Sequence, residues 1–258
     1  MKQPICSFVQ KYAEENTLRL HMPGHKGIKM LGPEALDITE ITGADVLYAS
    51  DGIIRKSEET AGALFGSART LFSAEGSSLC IRAMLYLVHL YAAKRGRKPR
   101  ILAGRNAHRV FLSAAALLDL EIGWIYPETP ESLLSGRFSL DMLEELLERE
   151  GYTALYLTSP DYLGNVADLA ACAKICHQHG VLFLVDNAHG AYLKFLPVSR
   201  HPLDFGADLC CDSAHKTLPV LTGGAYLHFS HICPPELMSA GEQAMRLFAS
   251  TSPSYLIL

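Results

Sequence analysis

The chain has 258 residues, of which 49% are hydrophobic and 19% are charged. That balance provides apolar side chains for one large core, or for one core with a small appendage. The formal net charge is −4, from 23 basic and 27 acidic residues. No excess of positive charge is available for a nucleic-acid backbone, so nucleic acid is not an expected partner.

The first 68 residues are predicted to form a helix followed by an extended arm. Residues 1–16 have an amphipathic helical pattern without the apolar run of a signal peptide. No later run approaches the length of a membrane span, so no membrane association is expected. The segment HMPGHKG (residues 21–27) and the residues from Asp37 to Lys56 are rich in Gly, Pro and acidic residues without a sustained period. Such a long irregular stretch is uncommon unless it has a function.

From residue 69 onward, predicted strands alternate with predicted helices. The apolar runs LYLT and LFLV are typical of strands that helices cover on both faces. The alternation predicts an α/β fold with three layers, α/β/α, and a mainly parallel sheet. The predicted strands are Thr70–Ser73, Arg100–Ala103, Ile122–Tyr126, Ala154–Thr158, Leu182–Val185 and Ala207–Cys211. The predicted helices are Leu79–Ala93, Val110–Leu118, Leu140–Arg149, Leu169–His179 and Pro234–Ala249.

The seven cysteines do not form pairs with the spacing of a metal site. Cys172 and Cys176 lie four apart in a predicted helix, and Cys210 and Cys211 are adjacent in a predicted strand. Two cysteines spaced on a helix could hold a metal, but no second pair lies near them. Buried free thiols in a reducing cytoplasm are the favoured interpretation, and no metal site is predicted.

Five predicted strands are followed by polar segments. In open α/β sheets, ligands bind at the carboxyl ends of the strands, so these segments are expected to share one rim. The five segments are Ala74–Ser78, Arg105–His108, Thr158–Pro160, Asp186–His189 and Ser213–Lys216.

Gly76, Ser77 and Ser78 open a predicted helix. Their backbone N–H groups, the two hydroxyls and the positive end of the helix would suit a phosphate group. Ser and Gly are also common at helix N-caps, and this segment alone does not separate the two interpretations.

Asp186 and Lys216 are the candidate charged groups. Asp186 ends an apolar strand, so its carboxylate is expected to need a cationic partner such as a protonated pyridine nitrogen, although a structural or helix-capping role would also fit. Lys216 follows a strand and is flanked by Ser213 and His215. Burial and neighbouring positive charge would make its amine a better nucleophile toward an aldehyde, whereas a single lysine is by default solvated.

His108 and His189 follow neighbouring predicted strands. Either could be an ordinary core or rim histidine, but a flat imidazole could also stack on an aromatic ring, and at least one is expected to contact a cofactor. The sequence lacks GxGxxG after the first strand, GxxxxGK[ST] and GxSxG. These absences argue against a dinucleotide site, a nucleoside-triphosphate site and a hydrolase of the nucleophile-elbow type.

Taken together, these residues make the sequence resemble the Orn/Lys/Arg decarboxylase family, which are pyridoxal 5′-phosphate (PLP) enzymes of the aspartate aminotransferase fold (fold type I). The likeness covers nearly the whole chain in the expected order. The segments VDNAHGAY and SAHKTL, which contain Asp186 and Lys216, are specific, whereas GSS alone is not. The matching segments are HMPGHKG, DITEITGADVLYASDG, FSAEGSS, GRNAHRV, LTSPDYLGNV, VDNAHGAY, DSAHKTLPVLTGGAYLH and TSPSY.

The resemblance implies PLP as the cofactor and a role for each candidate residue. Lys216 would carry the cofactor as a Schiff base, and Asp186 would pair with the pyridine nitrogen. His108 would stack on the ring, and His189 would lie near the ring oxygen or the substrate. The residues that would hold the phosphate are Gly76, Ser77 and Ser78, with help from Ser213 and His215.

The implied activity is decarboxylation of lysine, ornithine or arginine to a diamine or agmatine. Lys216 or His215 would return a proton to the substrate carbanion. Two alternatives stay open: another PLP reaction of the same fold, such as aminotransfer, aldol cleavage or desulfurisation, and a truncated PLP-binding or oligomerising protein without catalysis.

The resemblance also implies a domain division and a homodimer. Residues 1–68 would form the N-terminal helix and arm, near the active site and the dimer contact, and residues 69–258 the PLP-binding major domain. Family members continue beyond TSPSY into a small C-terminal domain that helps to bind substrate, so a fragment or natural truncation is expected, with PLP binding better preserved than turnover. TSPSY resembles a segment that reaches the cofactor phosphate of a neighbouring subunit.

Overall fold

A computed structural model describes residues 3–128, 134, 136–149 and 151–258. Its described residues contain one sheet of seven strands: β1 (Arg69–Ser73), β2 (Arg100–Gly104), β3 (Glu121–Ile125), β4 (Ala154–Thr158), β5 (Leu182–Asp186), β6 (Leu209–Asp212) and β7 (Ala225–Phe229). The sheet order is β1-β7-β6-β5-β4-β2-β3. β7 runs antiparallel to its neighbours β1 and β6, and the other neighbouring pairs are parallel. The prediction of a mainly parallel sheet is confirmed, and the predicted strands correspond to β1–β6; β7 was not predicted.

The helices of the described residues are α1 (Pro4–Glu14), α2 (Ile53–Phe65), α3 (Gly76–Ala93), α4 (Arg109–Leu117), α5 (Leu140–Arg149), α6 (Leu169–Gln178), α7 (Ala214–Thr217) and α8 (Pro235–Phe248). Short 3₁₀ segments cover Pro33–Ala35, Ala191–Phe195 and Pro202–Phe205. The predicted helices are present, and the first two residues of the predicted N-terminal helix lie outside the described part of the chain. The prediction for the first 68 residues is corrected by α2, a second helix that the sequence did not indicate.

Two apolar layers cover the sheet, one on each face. Successive side chains of a strand point to opposite faces, so Tyr156 of β4 joins one core while Leu155 joins the other. The first core contains buried side chains of α1–α4 and α8, and the second contains those of α5 and α6. The three-layer α/β/α fold predicted from the sequence is therefore confirmed.

The arm between α1 and α2 is held to the domain by polar contacts. Arg19 donates to the carbonyl of Ala35, and His25 lies 3.2 Å from a carboxylate oxygen of Asp37. The carboxylate of Asp45 accepts from N–H groups at the start of α2, including that of Ile54. Large apolar side chains of the arm are nevertheless 68–92% exposed: Leu18, Leu20, Met22, Ile28, Met30 and Leu31.

Four of the cysteines match the expectation of buried free thiols. Cys172 and Cys176 of α6 and Cys210 and Cys211 of β6 are free and buried. Among the helices of the described residues, none has the length and apolar character needed to cross a membrane.

Glu58 occupies a core position on α2. Its side chain is 2% exposed, and one carboxylate oxygen accepts from the backbone N–H of Phe72 in β1. Burial raises the pKa of Glu58 to about 7, although the Phe72 hydrogen bond and the nearby Arg69 and Arg55 act in the opposite direction. Glu242 adds a further upward contribution to this pKa.

This raised pKa predicts a dependence of stability on pH that Glu58→Gln removes. The folded protein holds the Glu58 proton up to about pH 7, whereas the unfolded chain releases it near the ordinary glutamate pKa of 4.5. The stabilising contribution is therefore complete below pH 4.5 and is lost as the pH rises through 7, a change of about 3 kcal/mol. Gln keeps the oxygen that accepts from Phe72. In urea unfolding at pH 5 and pH 8, the free energy of unfolding of the variant is therefore expected to increase relative to that of the wild type as the pH rises.

Glu59→Gln is the matched control, since Glu59 lies next to Glu58 on α2 with 62% of its side chain exposed. Its stability is expected to follow that of the wild type at both pH values. A difference between Glu58→Gln and wild type that stays constant from pH 5 to pH 8 would contradict the assignment.

Candidate active site

A single cavity of about 180 Å³ brings together all of the candidate residues predicted from the sequence. They are Gly76, Ser77, Ser78, His108, Asp186, His189, Ser213, His215 and Lys216. The cavity lies where β1, β2, β4, β5 and β6 end, because parallel strands deliver their carboxyl ends to one edge of the sheet.

The segment after β1 is shaped by a glycine, by one backbone hydrogen bond and by one hydrogen bond between hydroxyl groups. Gly76 has φ +70°, which lies in the left-handed region that side chains other than glycine rarely adopt. Its N–H donates to the carbonyl of Gly223 at 2.7 Å and is therefore already engaged. Ser77 and Ser78 occupy the first turn of α3, where N–H groups have no acceptor within the helix. The hydroxyl of Ser213 donates to that of Ser77 at 2.7 Å, which joins the segments after β1 and β6.

Asp186 ends β5 as a buried carboxyl group with 2% exposure. One oxygen accepts from the hydroxyl of Tyr156 at 3.1 Å, and the other accepts from the N–H of Ala188 at 3.2 Å. Burial raises the pKa of Asp186, while these two hydrogen bonds and the nearby side chains of His108 and Lys216 oppose the rise. The net upward direction means that the carboxylate is stabilised less by its surroundings than it would be by water.

Two histidine rings are oriented by backbone groups. His108 is the N-cap of α4, and its Nδ1 accepts from the N–H of Val110 at 3.3 Å. His215 lies in α7, where its Nδ1 is 2.9 Å from the carbonyl of Gly224. Because a carbonyl can only accept, Nδ1 of His215 carries the hydrogen, and Nε2 is the nitrogen left for a ligand or a proton.

His189 is half-buried beside Tyr162. The two ring centroids are 5.6 Å apart with an interplanar angle of 74°. Burial lowers the pKa of His189, and the positive charge of Lys216 lowers it further. His189 is therefore favoured as a neutral imidazole at neutral pH, able to donate one hydrogen bond and accept another.

The expectation that Lys216 is buried is wrong. The residue is exposed, because α7 is a single turn at the open rim of the sheet and Lys216 is near its end. Within this chain, the amine is approachable from solvent and faces the same cavity as Asp186. Its neighbour in the cavity, Ser213, is buried at the base of the turn.

Four further residues line the cavity, and the sequence assigned none of them a role: Ile81, Thr158, Tyr162 and Ala188. Ile81 lies one helical turn after Ser77 on α3, a spacing that could have indicated it. Thr158 and Ala188 lie in polar segments that follow predicted strands, and the buried Oγ1 of Thr158 has no hydrogen-bond partner among the described residues. Tyr162 follows β4 in a loop, and no local sequence pattern indicates its direction.

Comparisons with curated proteins give relatives along the full chain. The uncharacterized protein YaaO of Bacillus subtilis is 33% identical over 272 residues, which cover 100% of this chain and 55% of that protein. The arginine decarboxylase of Halalkalibacterium halodurans is 31% identical over 272 residues, which cover 99% of this chain and 53% of the enzyme. The chain thus spans about half the length of these curated relatives.

Solved structures show the same fold. Lysine decarboxylase A from Pseudomonas aeruginosa matches with a TM-score of 0.81 and 19% identity, over 98% of this chain and 38% of that chain. The lysine decarboxylase LdcF of Francisella novicida matches with a TM-score of 0.80 and 19% identity, over 99% and 39%. The family model described as Orn/Lys/Arg decarboxylase, major domain, matches residues 3–258. Because that match spans nearly every residue of the domain described above, the chain belongs to the Orn/Lys/Arg decarboxylase family.

Proposed function

We propose that this chain binds PLP through Lys216 and that its protein decarboxylates a basic amino acid. The observation that carries the proposal is the single cavity in which an exposed amine, Lys216, and a buried carboxyl group, Asp186, both face the ligand space. The family supports the cofactor, since its members are PLP-dependent decarboxylases. The relatives named arginine decarboxylase favour arginine as the first substrate to test.

Asp186 suits the pyridine nitrogen of PLP. The hydrogen-bond donors to its carboxylate oxygens, Tyr156 and Ala188, are neutral groups. A protonated pyridine nitrogen would supply the positive charge that a buried carboxylate requires. Bound PLP supplies an electron sink for the pair of electrons released when a bond to the substrate α-carbon breaks. The unpartnered Oγ1 of Thr158 offers a further hydrogen bond to a polar atom in the cavity.

The other end of the cavity suits a phosphate group. Ser77 and Ser78 offer their hydroxyls and the N–H groups of the first turn of α3, where the helix dipole favours an anion. Ser213 is already bonded to Ser77 and so places a third hydroxyl there. Gly76 contributes the turn that lets α3 begin at the cavity, and its own N–H is used by Gly223.

Two side chains are proposed to handle the proton that replaces the lost carboxylate. His215 is held through Nδ1, so its Nε2 is the atom that would take up a proton and then pass it to the substrate α-carbon. The amine of Lys216 is the other candidate, because it lies on the same short helix and lines the same cavity. His108 is proposed to stack on the cofactor ring, and His189 to contact the ring oxygen or the substrate.

The proposal also includes a homodimer. It divides the chain into an arm (residues 1–68) and a PLP-binding domain (residues 69–258). The exposed apolar side chains between Leu18 and Leu31 support a contact between copies of the chain, because large contiguous apolar surfaces mark interaction sites. A reducing, cytoplasmic location would suit the free thiols.

The first prediction concerns covalent attachment. After incubation with PLP, the wild-type chain is expected to show a visible absorption band, and borohydride reduction is expected to leave the cofactor mass on the peptide that contains Lys216. Lys216→Ala is expected to lose both signals, because no other amine is proposed to reach the aldehyde.

Lys174→Ala is the matched control, since Lys174 is exposed on α6 and is not among the cavity residues. It is expected to retain the band and the labelled peptide. A wild-type chain that folds without acquiring either signal would contradict the proposed cofactor site.

The second prediction concerns the reaction. With PLP bound, release of labelled CO₂ is expected from at least one of arginine, lysine and ornithine, with arginine fastest, and Lys216→Ala is expected to release none. Formation of a keto acid without CO₂ would instead favour aminotransfer. Cofactor attachment without any turnover would favour a PLP-binding protein that does not act alone.

A further inference from the structure

We infer that Asp212 is a positioning residue, whose buried carboxylate holds Asn187 and thereby fixes Asp186 relative to Lys216. The inference rests on the proposed function, since it concerns how the cofactor-binding groups are held. Neither Asp212 nor Asn187 is among the residues that line the cavity.

Asp212 is the last residue of β6 and is fully buried, at 0% exposure. Its Oδ1 accepts from the amide of Asn187 at 2.5 Å. Its Oδ2 lies 2.9 Å from Nε2 of His201 and 3.2 Å from Nε2 of His228. Burial alone would raise the pKa of Asp212, but the interactions of its carboxylate with the two histidines outweigh this effect and hold the pKa well below its usual range.

The two histidines are themselves fixed by donors on their far sides. The N–H of Leu203 donates to Nδ1 of His201 at 3.4 Å, so Nε2 of that ring carries the hydrogen toward Asp212. Burial lowers the pKa of His228, and its Nδ1 lies 2.8 Å from the hydroxyl of Thr70. A neutral His228 therefore donates from Nε2 to Asp212 and accepts from Thr70. Each ring has one orientation that satisfies both partners.

Asn187 is held on several sides. Its backbone N–H donates to the carbonyl of Cys211 at 2.9 Å, and its side-chain amide donates to Asp212. A Cβ atom built on Gly190 would lie 2.0 Å from Oδ1 of Asn187 and 2.8 Å from Cδ of Pro160. The amide therefore fills a space that only a glycine at position 190 leaves open, and its Oδ1 is buried without a hydrogen-bond partner among the described residues. The bond to Asp212 is thus a specific restraint on this side chain.

The restraint connects the two charged groups of the cavity through short pieces of chain. Asn187 lies between Asp186 and Ala188, whose N–H donates to the Asp186 carboxylate. Asp212 directly precedes Ser213 and the turn that carries Lys216. A shift of the Asn187 amide would therefore change the angle at which Asp186 meets a ring bound to Lys216. Such a shift would make the orientation of Asp186 less well defined without removing any group that contacts the ligand.

Asp208 provides a control of the same chemical kind on the same strand segment. It is 4% exposed and pairs with His177 and with the N–H of Phe183, but it precedes β6, at the end of the strand opposite to the cavity. Replacing either aspartate with asparagine removes a buried carboxylate that pairs with histidine. Only the change at Asp212 is expected to alter the binding of PLP in the cavity.

The test compares Asp212→Asn and Asn187→Ala with Asp208→Asn and with wild type, all as the full chain with added PLP. We expect both Asp212→Asn and Asn187→Ala to bind PLP about tenfold more weakly, since a buried hydrogen bond to a charged group is lost. Their bound cofactor is expected to give a weaker visible circular dichroism band per mole, because the ring is less firmly oriented. Asp208→Asn is expected to lower the unfolding temperature and to keep the wild-type dissociation constant and band.

Asn187→Ala keeps both histidine partners of Asp212, so the inference stays testable if Asp212→Asn does not fold. Dissociation constants and bands equal to wild type in folded Asp212→Asn and Asn187→Ala would overturn it, as would the same losses in Asp208→Asn. A wild-type chain that shows no cofactor band would count against the proposed function instead, and this result is read before any variant is compared.

Discussion

Burial of one carboxyl group at the end of a central strand is the constraint on which the candidate site depends. Asp186 lies where β5 meets the rim, between β4 and β6. In that position its charge cannot be hydrated, and neutral donors such as Tyr156 only partly compensate for the lost water. Under the proposed function, a cationic ring would supply the missing charge at this rim, next to an amine and several hydroxyls that parallel strands bring together from distant parts of the chain.

Most of this arrangement was predictable because the signals are local. Apolar runs of four or five residues with a polar residue after them mark β1, β2, β4, β5 and β6, and the direction of parallel strands then places the polar residues together. α2 escaped prediction for a physical reason. Its buried stripe is Ile54, Glu58, Ala61, Gly62 and Phe65. A glutamate and a glycine in the core positions hide the apolar period that would have indicated a helix.

The remaining features depend on contacts between distant segments. β7 carries a histidine in an otherwise apolar run, and His228 can be buried there only because Asp212 and Thr70 meet its two nitrogens. No spacing in the sequence indicates those partners. The exposure of Lys216 has a similar origin, since it follows from the shortness of α7 and the open rim beside it. Most residues that line the cavity could thus be predicted from the sequence, whereas the buried residues that hold them in place could not.

The antiparallel direction of β7 has a consequence for how the family's sequences can vary. Because β7 starts at the edge where β1 and β6 end, the glycines that precede it bring two carbonyls to the rim: that of Gly223 accepts from Gly76, and that of Gly224 accepts from His215. Both acceptors are main-chain atoms, but Gly223 has φ +106°, and a Cβ atom built there would lie 2.8 Å from the carbonyl oxygen of Ala74, so this position requires glycine. An insertion or deletion between Lys216 and Ala225 would displace both carbonyls at once, so the bridge constrains the length of this loop as well as the residue at position 223.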